Sequence, residues 1–264
     1  MICATLLASP VIDLTICFHV RRYLKTRTFL GITILSGLIS GIVLSFLNLG
    51  IVEPYIDKAI GLETQHKISS GENVNLHELV DYRAWQKSGA IVAGAVYGIS
   101  LASLFGIAFA YGRNILPTNS NKKKALFLAG VMWVVLYLMI MIKYPANPPA
   151  VGDPHTIYYR QSLYVGYLAL SGLSALGVAI AWKKFPQIRS KKVVLPSIYA
   201  LIMIVAYLTF PSNPDKISIS VELIQTFRIA SALTIGIFWG LLAIIFGSMW
   251  DKFKPHEHAE IAAI

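Results

Sequence analysis

The chain alternates long apolar runs with short polar segments, and the polar segments hold nearly all of its Lys, Arg, Asp, Glu and Pro residues. Six stretches contain no Asp, Glu, Lys, Arg or His: Phe29 to Val52, Gly89 to Tyr111, Ala125 to Ile142, Gln161 to Trp182, Val193 to Phe210 and Ile229 to Trp250. A helix needs about 20 residues to cross a hydrocarbon core, so each can span, with the third and fifth the shortest. The pattern predicts an all-α integral membrane protein with six transmembrane helices arranged as three helical hairpins. The transmembrane domain covers residues 29–250, with outer loops at 53–88, 143–160 and 211–228.

The hairpins share punctuation. The odd-numbered runs end at Glu53-Pro54, Tyr144-Pro145 and Phe210-Pro211. Proline cannot continue the helical ladder there and biases its predecessor away from the α region. Each return run follows an aromatic residue and an arginine: Tyr82-Arg83, Tyr159-Arg160 and Phe227-Arg228. The recurrence suggests an internal pseudo-repeat, although prolines often end helices and arginines often flank spans. The second outer loop, Lys143-Tyr144-Pro145-Ala146-Asn147-Pro148-Pro149-Ala150-Val151-Gly152-Asp153-Pro154, is unusually stiff, and Phe210-Pro211-Ser212-Asn213-Pro214-Asp215 echoes it.

Small-residue pairs at Gly37/Gly41, Gly94/Gly98 and Gly236/Gly240 predict close packing of the first, second and sixth helices. Trp85, Tyr111, Tyr144, Trp182 and Trp250 fall near span ends, where amphipathic rings anchor at the interface.

Composition agrees. The 264 residues are 56% hydrophobic and 14% charged, with a mean hydropathy of +0.63, whereas a soluble domain carries about 25% charged residues. The net charge of +10 does not point to nucleic acid, because the basic residues sit in short clusters beside apolar runs. Those clusters are Arg21, Arg22, Lys25 and Arg27, then Arg113 with Lys122 to Lys124, then Lys183, Lys184, Arg189, Lys191 and Lys192, and finally Lys252 and Lys254. All face one side, which the positive-inside rule makes cytoplasmic, placing both termini inside and the protein in the cytoplasmic membrane as a multi-pass component.

Residues 1–28 read as a membrane-associated cytoplasmic leader, with a seventh span as the other reading. Met1 to Val20 is apolar but broken by Pro10, Asp13 and His19, and its basic residues come last, unlike those of a signal peptide. Cys3 and Cys17 lie in this segment without partners elsewhere, so no disulfide framework or CxxC metal site is available. Residues 251–264 form a cytoplasmic tail containing His256-Glu257-His258, read as flexible.

The membrane interior lacks ionisable residues, the usual carriers of ion coupling, and offers no axial histidine for haem. Asn48, Ser36, Ser40 and Ser45 either line a polar path or bond to neighbouring backbone. No Gly-rich phosphate loop, Ser-His-Asp set or HExxH sequence is present, so the chain is read as not an enzyme.

The candidate chemistry therefore sits in the outer loops. Glu53 and Asp57 share a face if Pro54 opens a helix. A second helix starting at Asn75, with Glu78 completing a capping box, places His77 and Asp81 together. With Glu63, His66, Asp153 and His155, these residues form a mixed carboxylate and imidazole set suited to a borderline divalent ion, Co, Ni, Zn or Fe(II), among which affinity order alone does not choose. Alternatively the acids are simply solvated, or Arg83, Arg160 and Arg228 pair with them and clamp loop one onto the Pro-rich loop.

Several segments resemble the CbtA family, described as a probable cobalt transporter subunit. The residues that carry this are Ser36-Gly37-Leu38-Ile39-Ser40-Gly41, Val52-Glu53-Pro54-Tyr55-Ile56-Asp57-Lys58-Ala59-Ile60-Gly61-Leu62-Glu63, and the Pro-rich loop with Arg160. The resemblance implies a role in cobalt or cobalamin supply, with a small single-span CbtB-like partner. It adds weight to Glu53, Asp57, Glu63 and Asp153 as site residues. The reading adopted is a membrane subunit assisting uptake of a divalent metal, cobalt first. A structural or assembly subunit of a larger membrane complex is the alternative.

Overall fold

The computed structural model describes residues 25–149, 151–187, 190–215 and 219–256. Met1 to Val20, both cysteines and most of the His-Glu-His tail lie outside these residues. Among the described residues every regular element is helical. Helix α1 (Thr26–Leu47) passes through a π-helical turn, Asn48–Val52, into α2 (Glu53–Ser69). Helix α3 (Leu76–Gly112) returns. Helix α4 (Asn121–Trp133), a second π turn (Val134–Leu138) and α5 (Met139–Lys143) make the third span. A 3-10 turn (Pro154–Thr156) leads into α6 (Ile157–Lys184), followed by α7 (Lys191–Thr209) and α8 (Val221–Phe253). Among the described residues six helical rods are long and apolar enough to cross a membrane, in the predicted order.

Pro54 does not end the first rod, contrary to the sequence expectation. The rod runs continuously for 44 residues. The π turn widens the ladder just before Pro54, with the Glu53 N–H bonding back to Asn48. This relieves the clash between the proline ring and the carbonyl four residues earlier. At about 1.5 Å per residue such a rod far exceeds a bilayer core, so polar α2 projects beyond the membrane. The other two prolines behave as expected. Tyr144 and Phe210 leave helical geometry immediately before Pro145 and Pro211.

The first and second spans cross through their glycines. A β-carbon added at Gly37 would lie 2.6 Å from the Ala102 side chain, and one at Gly41 would overlap the Gly94 carbonyl oxygen. Only hydrogen permits this approach, which also brings Ser45 Oγ to 3.0 Å from the Ala90 carbonyl across the interface. The expected counterpart in the sixth span fails. Gly240 has no neighbour within 4 Å, and α8 makes its close approach lower down, where Gly247 meets Lys122 and Ala125 of α4.

The largest core lies at the end where the chain's described limits meet, the Lys25 N–H bonding to the Pro255 carbonyl. Phe105, Phe109, Phe238, Trp239, Phe246 and Trp250 interlock there against Ile32, Ala102 and Ala125. Trp250 is therefore no interfacial anchor. It is fully buried, between Phe29, Phe109 and Phe246, with the Arg113 guanidinium 5.7 Å from its ring. Trp85 and Tyr111 are exposed, as expected of belt residues.

Helices α1, α3, α4 and α8 form one packed group, while α6 packs on α7, on α5 and on the second π turn. Thus α7 and α8, consecutive in sequence, lean on different neighbours. Ser171 ties α6 to the π turn by donating to the Val135 carbonyl at 2.7 Å, satisfying backbone at an irregular turn.

Candidate functional site

In the first outer loop, Asn75 caps α3 by accepting from the Glu78 N–H at 3.3 Å, as the capping-box reading predicts. That start fixes the register that turns Arg83 toward α2. Arg83 Nη2 pairs with Glu53 Oε1 and lies 3.0 Å from Asp57 Oδ1, while Lys87 Nζ lies 2.7 Å from Asp57 Oδ2. Burial alone would raise the Asp57 carboxyl, but the hydrogen bonds and charges of Lys87 and Arg83 outweigh it and hold it below the ordinary carboxylate value. Glu53 and Asp57 do share one face, and that face is occupied by cations of their own hairpin.

The remaining loop-one candidates are dispersed. Glu63 pairs with Lys67 at 2.7 Å, His66 is exposed on α2, and His77 Nδ1 stands 3.1 Å from Asp81 Oδ2 in open solvent. Asp153 accepts from the His155 N–H at 2.8 Å and caps the short turn at Pro154, with both residues exposed. The eight proposed ligands are thus not brought together, and among the described residues no three of His, Cys, Asp and Glu group around a metal-sized space.

The second and third outer loops build a tighter structure. Arg160 Nε lies 2.8 Å from Asp215 Oδ2, and the Asp215 side chain is only 4% exposed. Asp215 also accepts from the Asp153 N–H and the Thr156 hydroxyl, and Arg160 Nη2 donates to the Asp153 carbonyl. Gly152, at φ +107, lets the chain turn over this pair. A β-carbon there would sit 2.5 Å from Asp215 Oδ2 and 2.6 Å from Arg160 Nη1. Arg228, at the outer end of α8, donates from Nε to the Ala146 carbonyl and from Nη2 to Asn147 Oδ1 at 2.6 Å. The cross-loop arginine clamp therefore joins loop two to loop three and α8, not loop one to loop two. Loop one meets the Pro-rich loop through Pro149, which lines a shallow cleft with Arg83 and Gln86.

Sequence reasoning missed Asp215. Its one signal was the echo between the two Asn-Pro segments, which places Asp215 in the short loop opposite the Pro-rich one.

Beside the clamp lies a half-open cavity of about 520 Å³, lined by Tyr144, Asn147, Gln161, Asn213, Asp215 and the two arginines, with Leu163, Tyr164 and Val165 of α6. The Tyr137 hydroxyl and the Trp133 Nε1 are buried without hydrogen-bond partners, and their rings stack with centroids 6.4 Å apart. Gly236 leaves space beside the Trp133 nitrogen. Of the α1 serines, Ser36 donates to Thr33 and Ser45 to Gly41 and Ala90, whereas the Ser40 hydroxyl is also buried without a partner.

A family model of a probable cobalt transporter subunit matches residues 26–251, the whole of the six-span domain. The chain belongs to the CbtA family. No match was found among curated proteins or among solved structures. The CbtA match takes in both halves of the clamp and every residue lining the cavity, together with all eight candidate ligands from Glu53 to His155.

Proposed function

We propose that this CbtA protein is a membrane subunit of cobalt uptake in the cytoplasmic membrane, with its clamped loops outside and both termini inside. The observation that carries the reading is the cavity beside the Arg160–Asp215 clamp. It lies among residues at the loop ends of the fourth and sixth spans, and the third span carries two buried polar atoms without partners, the Tyr137 hydroxyl and Trp133 Nε1. Buried polar groups without partners are costly in a membrane, so two side by side suit contact with a polar cargo.

The spans carry no ionisable residue to couple transport to an ion gradient, so a partner subunit supplies the driving element. A small single-span CbtB-like protein fits. Helices α6 and α7 offer it a seat, since they pack mainly on each other and stand apart from the α1, α3, α4 and α8 group. The same feature supports the second reading, an assembly subunit of a larger complex without transport of its own.

Cellular cobalt measured at limiting external cobalt, with and without the chain, tests the proposal. Content should fall on deletion and recover when the chain is restored. Equal content in both strains rejects a transport role.

A further inference from the structure

The charges around the outer cavity are wrong for a bare cation. Its lining holds two guanidinium groups, Arg160 and Arg228, and one carboxylate, Asp215. Asp215 is spent on Arg160, Thr156 and the Asp153 amide, so it has no oxygen facing a cargo unopposed. Arg228 has no carboxylate within ion-pair distance among the described residues. Among the described residues it is held by a carbonyl and an amide oxygen, through Nε and Nη2, with no hydrogen bond from Nη1. Arg228 lines the cavity, and its guanidinium keeps donor capacity for a ligand there.

We infer that this cavity binds a small organic carboxylate, so that the metal reaches the chain as an anionic carboxylate chelate. The inference rests on the proposed uptake role and specifies the form of the cargo. A guanidinium fork matches a carboxylate in bidentate geometry, and a ligand carboxylate would neutralise the one unbalanced charge of the lining. The Leu163, Tyr164 and Val165 wall gives the site an apolar side that an inorganic anion would not use. At about 520 Å³ the space falls in the range of small-molecule sites. Asn147 holds Arg228 by accepting from Nη2, while Gln161 and Asn213 add neutral polar groups to the lining suited to a chelate's remaining oxygens.

Calorimetric titration of the full chain in nanodiscs tests this with citrate, cobalt(II)–citrate and cobalt(II) chloride. Citrate and cobalt(II)–citrate should both saturate, and cobalt(II) chloride should not. Arg228→Gln should weaken both at least tenfold, with Arg228→Lys intermediate. Asn147→Asp, which sets a carboxylate against Arg228 without removing it, should weaken them comparably and covers the case in which Arg228→Gln does not fold. Saturation by cobalt(II) chloride alone, citrate binding unchanged by Arg228→Gln and Asn147→Asp, equal competition by inorganic phosphate, or an anionic lipid retained through Arg228 would each overturn the inference. If citrate binds as described but deletion leaves cellular cobalt unchanged, the uptake role fails and the carboxylate site stands. If deletion lowers cobalt but citrate does not bind, only the chelate is rejected.

Discussion

Arg160 and Asp215, 55 positions apart, form the one ion pair among the described residues that joins two different outer loops, with Nε 2.8 Å from Oδ2 and the acid almost fully shielded. The stiff Pro-rich loop is thereby held against the third outer loop, and the cavity beside the pair keeps its lining. Removing one partner of a shielded pair leaves the other charged and unmatched, at a cost of about 3 kcal/mol. Asp215→Asn should therefore lower the thermal midpoint of the purified protein and expose the second outer loop to protease, while Asp81→Asn at the solvent-exposed His77 pair should change neither.

Gly152→Ala should act on the same contact by a different route. The left-handed backbone and the nearby Asp215 and Arg160 atoms both oppose a methyl group, for a combined loss of about 2 kcal/mol. Protease sensitivity in the second loop should match that of Asp215→Asn, and the double variant should be no worse than about the larger single effect. Full additivity of the two losses would show that the glycine acts elsewhere.

The glycine crossing of the first two spans predicts a contrast. Gly41→Val places bulk against backbone that cannot yield and should cost about 3 kcal/mol or more, seen as loss of monodisperse protein in detergent. Gly240→Ala has open space and should be silent by the same measurement.

The loop-one cluster predicts acid sensitivity. Asp57 titrates below its ordinary value in the folded protein, so its stabilising contribution is complete above about pH 4 and is lost as pH falls through the depressed value. Amide hydrogen exchange in α2 should quicken as pH is lowered through that window, after correction for the intrinsic exchange rate. Asp57→Asn should remove the dependence.

Much of this was legible in the chain. Spans and their order follow from apolar run length, and the Asn75 cap, the His77–Asp81 pair and the first glycine crossing follow from helical spacing. Pro54 misled because the widened turn that accommodates it depends on backbone bonding of the preceding residues, which composition does not disclose. Trp250 misled because a ring at a span end can face the bundle as readily as the interface. Asp215 was hidden for a related reason: its burial arises only when two loops distant in sequence dock, and no local pattern marks that. The outer acids were found by residue type, but their partners were set by the facing helix, where Arg83 and Lys87 occupy Glu53 and Asp57.

The most direct test of the account is the initial rate of radiolabelled cobalt uptake at limiting external cobalt in cells carrying the wild-type chain, Asn213→Trp, or no chain. Asn213 lines the outer cavity, so the added bulk of an indole at that position is expected to obstruct it. The account predicts that Asn213→Trp, present in the membrane at the wild-type level, reduces uptake to the rate of cells lacking the chain. Uptake by Asn213→Trp at the wild-type rate, or equal rates in all three strains, would contradict it.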